Sequence, residues 1–335
     1  MTVRAKPKTF LKASFVLAVT LVLTTVSVRA LGTTSLPPAK QNPAPAYVAF
    51  GDSLTTGSSI ATCRDDRSLS PWGCAENPTA ATPYPNYVAQ ALHLTYSNDP
   101  KSYQSQAASQ DGLYRAGIWG YTAQEAVRAQ QRGRNEVGSW MPQLDAIKQA
   151  RQLVTGSLGI NDMHFSDIGK WARLYITPGG DHVTKEAQKI LRTRAPDFNQ
   201  LFQSLASARD NGAHVITGLY YNPYDSDNES CQGLKSIGDR IVNTLDEDLL
   251  TRSHQAGLSV ADFRRQFTGH GAGSSEPYVF GENCQIDTAL RTWAMSIFRG
   301  KDAKKAVAIQ FDPHPNNIGT MIMANVILQE YNNAD

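Results

Sequence analysis

Apolar and polar positions along this chain follow two rhythms. Short apolar runs that stop at a glycine or polar turn predict buried strands at Tyr47 to Phe50, Gln152 to Leu158, Ala213 to Tyr220 and Leu258 to Phe263. Between them, apolar residues recur every three or four positions. That spacing predicts helices over Pro85 to Leu94, Thr122 to Gln131, Met141 to Ala150, Thr184 to Ala208, Leu234 to Gln255 and Asn316 to Tyr331. Pro196 is a candidate break in the fourth helix, Asn211-Gly212 ends it, and Gly257 caps the fifth. Two stretches, Cys63 to Thr82 and Arg264 to Ala303, show neither rhythm, and no internal repeat is present. Short buried strands alternating with long helices predict an α/β protein with an open parallel sheet covered on both faces. In such a sheet the loops leaving the strands build the site.

The first 30 residues follow a different pattern. Arg4, Lys6, Lys8 and Lys12 precede an apolar stretch from Ala13 to Val28, and Val28-Arg29-Ala30 offers small residues where a signal peptidase reads. The expectation is a signal peptide over 1–30 cleaved near Ala30, a flexible Pro- and Thr-rich leader over 31–45, and one domain over 46–335. Sixteen residues with several Thr and Ser fall short of the roughly 20 apolar residues a bilayer needs, so no stable membrane insertion is expected after cleavage. The net charge of +2 changes sign once this segment is set aside. What remains carries 27 basic against 30 acidic side chains, a net of −3. A mildly acidic chain lacks the basic face that phosphate binding needs, which argues against nucleic acid as a partner.

Export changes the reading of the cysteines. Cys63, Cys74, Cys231 and Cys284 predict two disulfides in an oxidising compartment, with three connectivities open. Proximity in sequence favours Cys63 with Cys74, which leaves Cys231 with Cys284. No C-x-x-C pair or clustered His accompanies them, so a metal site is not expected.

Four short segments carry candidate chemistry. Gly51-Asp52-Ser53-Leu54 puts a Ser just past a strand, either as a helix cap or as an exposed nucleophile. Gly159-Ile160-Asn161-Asp162 follows the second strand; Asn161 suits a turn, or an amide donor aimed at an oxyanion. Asp312-Pro313-His314-Pro315-Asn316 holds a His stiffly before a helix, and His is the usual general base for a Ser. Gly117-Ile118-Trp119-Gly120-Tyr121 leads another helix, and Gly120 can bring a backbone N–H close to a ligand. His93, His164, His182, His214, His254 and His270 have no comparable setting and read as structural or surface residues. Asp225-Ser226-Asp227-Asn228-Glu229 reads as a solvated acidic turn, since it lacks the Gly of an EF-hand loop.

In this order the four segments resemble the SGNH/GDSL hydrolases, over about residues 46–331. Tyr84-Pro85-Asn86-Tyr87, Tyr220-Tyr221-Asn222-Pro223 and the cysteine placement are similar to the secreted actinobacterial-type lipases and esterases of that family. The resemblance implies a three-layer α/β/α flavodoxin-like fold with a mostly parallel five-stranded sheet. It implies Ser53 as nucleophile, His314 as general base, and an oxyanion hole formed by Ser53, Gly120 and Asn161. It also implies no metal or organic cofactor. The family's Asp lies three residues before the His, where this chain has Phe311. Either the loop bends so that Asp312 meets His314, or a backbone carbonyl near Phe311 orients the ring.

The expected function is a secreted, monomeric esterase or lipase acting on a small-molecule, lipid or glycan ester. A carbohydrate O-acetyl esterase acting on wall or plant polymers is the alternative enzyme, and Trp72, Trp119 and Tyr121 suit either acyl pocket. A non-catalytic glycan- or wall-binding protein on the same fold is the rival from another class. It predicts a broken constellation, whereas all four motif residues are present.

Overall fold

The computed structural model describes residues 44–57, 81–96, 111–129, 141–288, 290 and 311–333. The expected signal peptide, most of the leader, Trp72 and the Cys63–Cys74 pair lie outside them. In chain order the elements are β1 (Tyr47–Gly51), α1 (Ser53–Thr56), α2 (Tyr84–Ala91), β2 (Leu113–Arg115), α3 (Ala123–Val127), α4 (Gln143–Gln149), β3 (Leu153–Ser157) and α5 (Ile168–Ile176). There follow α6 (His182–Asp210), β4 (His214–Leu219), α7 (Gln232–Gln255), β5 (Ser259–Asp262), α8 (Phe263–Phe267) and α9 (Asn317–Asn332).

The five strands form one sheet in the order β2-β1-β3-β4-β5, and every neighbouring pair is parallel. β1, β2 and β3 are buried along their whole length, as parallel strands are when helices cover both faces. α2, α8 and α9 pack on one side; α3, α4, α5, α6 and α7 group on the other. The expected three-layer α/β/α class is therefore the observed one. The order 2-1-3-4-5 reverses direction between β1 and β3, and the carboxyl ends there are where doubly wound sheets place ligands.

Four elements, β2, α5, α8 and α6, differ from the sequence reading. β2 went unread because three residues leave no period to detect. α5 and α8 fall in segments without an assigned helix, although Ile168, Trp171 and Ala172 carry helical spacing and Trp171 is fully buried. Pro196 does not break α6, which runs 29 residues through it. An internal Pro costs a helix about 3 kcal/mol. Here Phe198, Leu201, Phe202 and Leu205 are buried just beyond it, and burying each such side chain stabilises by roughly 1.5–3 kcal/mol, enough to hold the second half in line.

Candidate active site

β1 delivers Ser53 to the carboxyl edge of the sheet through a tight turn. Gly51 has φ +129°, and a Cβ there would lie 2.6 Å from Thr55 Oγ1 and 2.7 Å from the Ser157 carbonyl. Only glycine fits both the conformation and the space. The buried side chain of Gln143 on α4 clamps this peptide at both ends. Its Oε1 accepts from Gly51 N–H at 3.0 Å and its Nε2 donates to the Gly51 carbonyl at 2.8 Å. Asp52 caps α1 by accepting from Leu54 N–H, so Ser53 becomes the first helical residue.

His314 comes to Ser53 from the other end of the chain. Its Nε2 lies 2.8 Å from Ser53 Oγ, and its Nδ1 lies 2.5 Å from Asp312 Oδ1. Asp312 Oδ1 also accepts the backbone N–H of His314 at 3.1 Å, which folds the D-P-H segment into a compact turn. The Phe311 carbonyl is directed elsewhere and accepts from Tyr224 Oη–H at 3.2 Å. All three members of the path are buried. A proton on Nδ1 donated to Asp312 leaves Nε2 as the acceptor for Ser53.

Asn161 and Asp162 grip the loop that carries Gly120. Asn161 Nδ2 donates to the Tyr121 carbonyl at 3.1 Å and to Asp52 Oδ2 at 3.3 Å. Asp162 Oδ2 accepts from Ala123 N–H at 2.8 Å. Two consecutive side chains thus hold the peptide groups on either side of Thr122, which itself caps α3 with a capping box to Glu125. Gly120 sits in this loop at φ +63°, between Tyr121 and Trp119. Among the described residues no group of three or more His, Cys, Asp or Glu is placed to hold a metal ion.

No family model matches the sequence, and no curated protein matches it. Solved structures do. Phospholipase A1 from Streptomyces albidoflavus aligns at 16% identity over 86% of this chain and 99% of that chain, with a TM-score of 0.51. An extracellular lipase from Streptomyces rimosus aligns at 17% identity over 86% of this chain and 100% of that one, with a TM-score of 0.49. The chain shares the α/β fold of that phospholipase A1 structure.

On this fold, further side chains support the site. Tyr220 Oη–H donates to Asp52 Oδ2 at 2.8 Å, while its backbone N–H is held by Asp246 Oδ1 at 2.9 Å. Burial pushes the Asp52 carboxyl up to about 6, against the lowering pull of Leu54 N–H, Tyr220 and His314. Burial likewise pushes Asp162 up to about 7. Its bond from Ala123 and the Arg194 guanidinium, 3.7 Å away, offset only part of that. The phenol of Tyr220 is driven well above its usual range by burial and by the Asp52 charge, so it stays a donor.

The Asp312–His314 turn is pinned from two sides. Tyr221 Oη–H donates to the Pro313 carbonyl at 2.8 Å, opposite the Tyr224 bond to Phe311. Tyr221 and Tyr224, in the segment after β4, therefore brace this turn. On the other side Phe280 N–H donates to the His314 carbonyl and Gly281 N–H to the Asp312 carbonyl, both at 2.9 Å. Gly281 is required by proximity, because a Cβ there would lie 2.7 Å from the Asp312 oxygen. Three residues on, Cys284 forms a disulfide with Cys231 at the start of α7. Asn316 then caps α9 by accepting from Ile318 and Gly319 N–H.

Proposed function

We propose that this chain is a carboxylic ester hydrolase of the SGNH/GDSL type that works through an acyl-enzyme on Ser53. The observation that carries the reading is the unbroken path from Asp312 Oδ1 through His314 to Ser53 Oγ, with steps of 2.5 and 2.8 Å. In the proposed reaction Ser53 Oγ bonds to the ester carbonyl carbon as its proton passes to His314 Nε2. The carboxylate of Asp312 offsets the charge on the imidazolium. The carbonyl oxygen becomes an oxyanion received by the N–H groups of Ser53 and Gly120 and by Asn161 Nδ2. The 3.3 Å bond from Asn161 to Asp52 is near the limit of hydrogen bonding, so an oxyanion competes for that hydrogen at small cost. His314 then protonates the departing alcohol. Water, deprotonated by the same nitrogen, releases the acid and restores Ser53.

The basic start and apolar run over residues 1–30 support export, with the mature chain beginning near Leu31. The similar Streptomyces albidoflavus structure is of a phospholipase A1, which makes phospholipid esters a class to test beside simple ones. The experiment is hydrolysis of p-nitrophenyl esters from acetate to palmitate and of a diacyl phospholipid. Turnover of at least one, abolished in Ser53→Ala, is the expected result. A pure, folded protein inert toward every one of them contradicts the reading.

A further inference from the structure

The ring of the half-buried Trp119 stacks on the imidazole of His314. The centroids are 4.5 Å apart and the planes are 30° from parallel. A face-on indole offers its negative π cloud to whatever charge the imidazole carries. In the resting state proposed above the imidazole is neutral. In the transition state it becomes an imidazolium. An attraction that exists only once charge has developed lowers the barrier rather than tightening ground-state binding.

We propose that Trp119 is a positioning residue for His314 whose indole face stabilises the imidazolium formed when Ser53 is deprotonated. The proposal rests on the hydrolase reading. Two further observations favour it over simple packing. The loop bearing Trp119 is fastened at Tyr121 and Ala123 by Asn161 and Asp162, so the indole is carried on the same anchored segment as Gly120. The imidazole Nδ1 is held by Asp312, so the ring has a carboxylate at one nitrogen and an aromatic ring stacked on its face. A residue that lined the acyl pocket instead would act on substrate affinity, which the test separates.

The test compares Trp119→Phe and Trp119→Leu with wild type in two assays: kcat and KM on a p-nitrophenyl ester, and the rate of inactivation by a fluorophosphonate. Leu keeps apolar bulk over the ring but has no π face; Phe keeps a weaker face. The expected order is Trp, Phe, Leu in both kcat and inactivation rate. Leu should be lower by roughly 3–30-fold, with KM changed by less than about twofold. Equal rates for Phe and Leu, or a loss confined to KM, overturn the proposal. So does a Trp119→Leu rate within about twofold of wild type. An inert wild type would instead remove the hydrolase reading itself, and this role with it.

Discussion

Asp312 Oδ1 receives two hydrogen bonds from one residue, from the ring Nδ1 of His314 at 2.5 Å and from its backbone N–H at 3.1 Å. The second bond makes a two-residue spacing sufficient. It draws the backbone of His314 toward the carboxylate, so the ring reaches the same oxygen. Asp312→Ala is expected to lower kcat near neutral pH by orders of magnitude, up to roughly 10⁴ as in other triads. Asp312→Asn should fall nearly as far, because an amide does not offset the imidazolium charge. Steady-state kinetics check both, and a loss under about tenfold would make His314 oriented by backbone alone.

Asn161→Ala is expected to fold and to lose roughly 10²–10³ in kcat with KM little changed, because in the proposed reaction its amide acts mainly on the oxyanion. An unchanged kcat would confine Asn161 to tying the Tyr121 loop to Asp52.

Asp162 makes a prediction about stability against pH. Burial raises its folded pKa from the usual 3.8 to about 7, so the fold favours the protonated form. That contribution is fully present below about 3.8 and is lost as pH rises toward about 7. Asp162→Asn removes the titration and keeps an acceptor for Ala123 N–H. Urea unfolding of both proteins from pH 4 to 8 should show the variant gaining on wild type, by up to about 1.4 kcal/mol per pH unit inside the window. Parallel curves would contradict it.

The Cys231–Cys284 disulfide is expected to matter to activity as well as to stability. It anchors the segment whose Gly281 and Phe280 hold Asp312 and His314. Replacing both cysteines with Ser should cost about 2–4 kcal/mol, with a drop in kcat at temperatures where the variant is still folded. A variant destabilised in this range but fully active would show that Tyr221 and Tyr224 are enough to hold the turn.

Much of this was legible in local sequence and some was not, for physical reasons. Ser53, Asn161 and His314 sit in short segments whose residue types and turn chemistry announce a site. The four longer strands and six of the helices, α2, α3, α4, α6, α7 and α9, declare themselves by period. Gln143, Tyr220 and Asp246 do not. Each acts on a partner 26 to 168 residues away; nothing in the neighbouring sequence marks Gln143 or Asp246, and the Tyr220-Tyr221-Asn222-Pro223 resemblance gives Tyr220 no role. The choice between Asp312 and a carbonyl near Phe311 depended on how Pro313 bends the chain, and on Tyr224 taking the Phe311 carbonyl. Neither is a property of four adjacent residues.

Covalent labelling of Ser53 tests the central claim most directly. A fluorophosphonate probe should modify the wild type at one site, mapped by mass spectrometry to the peptide carrying Ser53. It should leave Ser53→Ala unmodified, with esterase kcat down by roughly 10⁴–10⁶. Labelling that persists in Ser53→Ala, or wild-type labelling on another residue, would contradict the account.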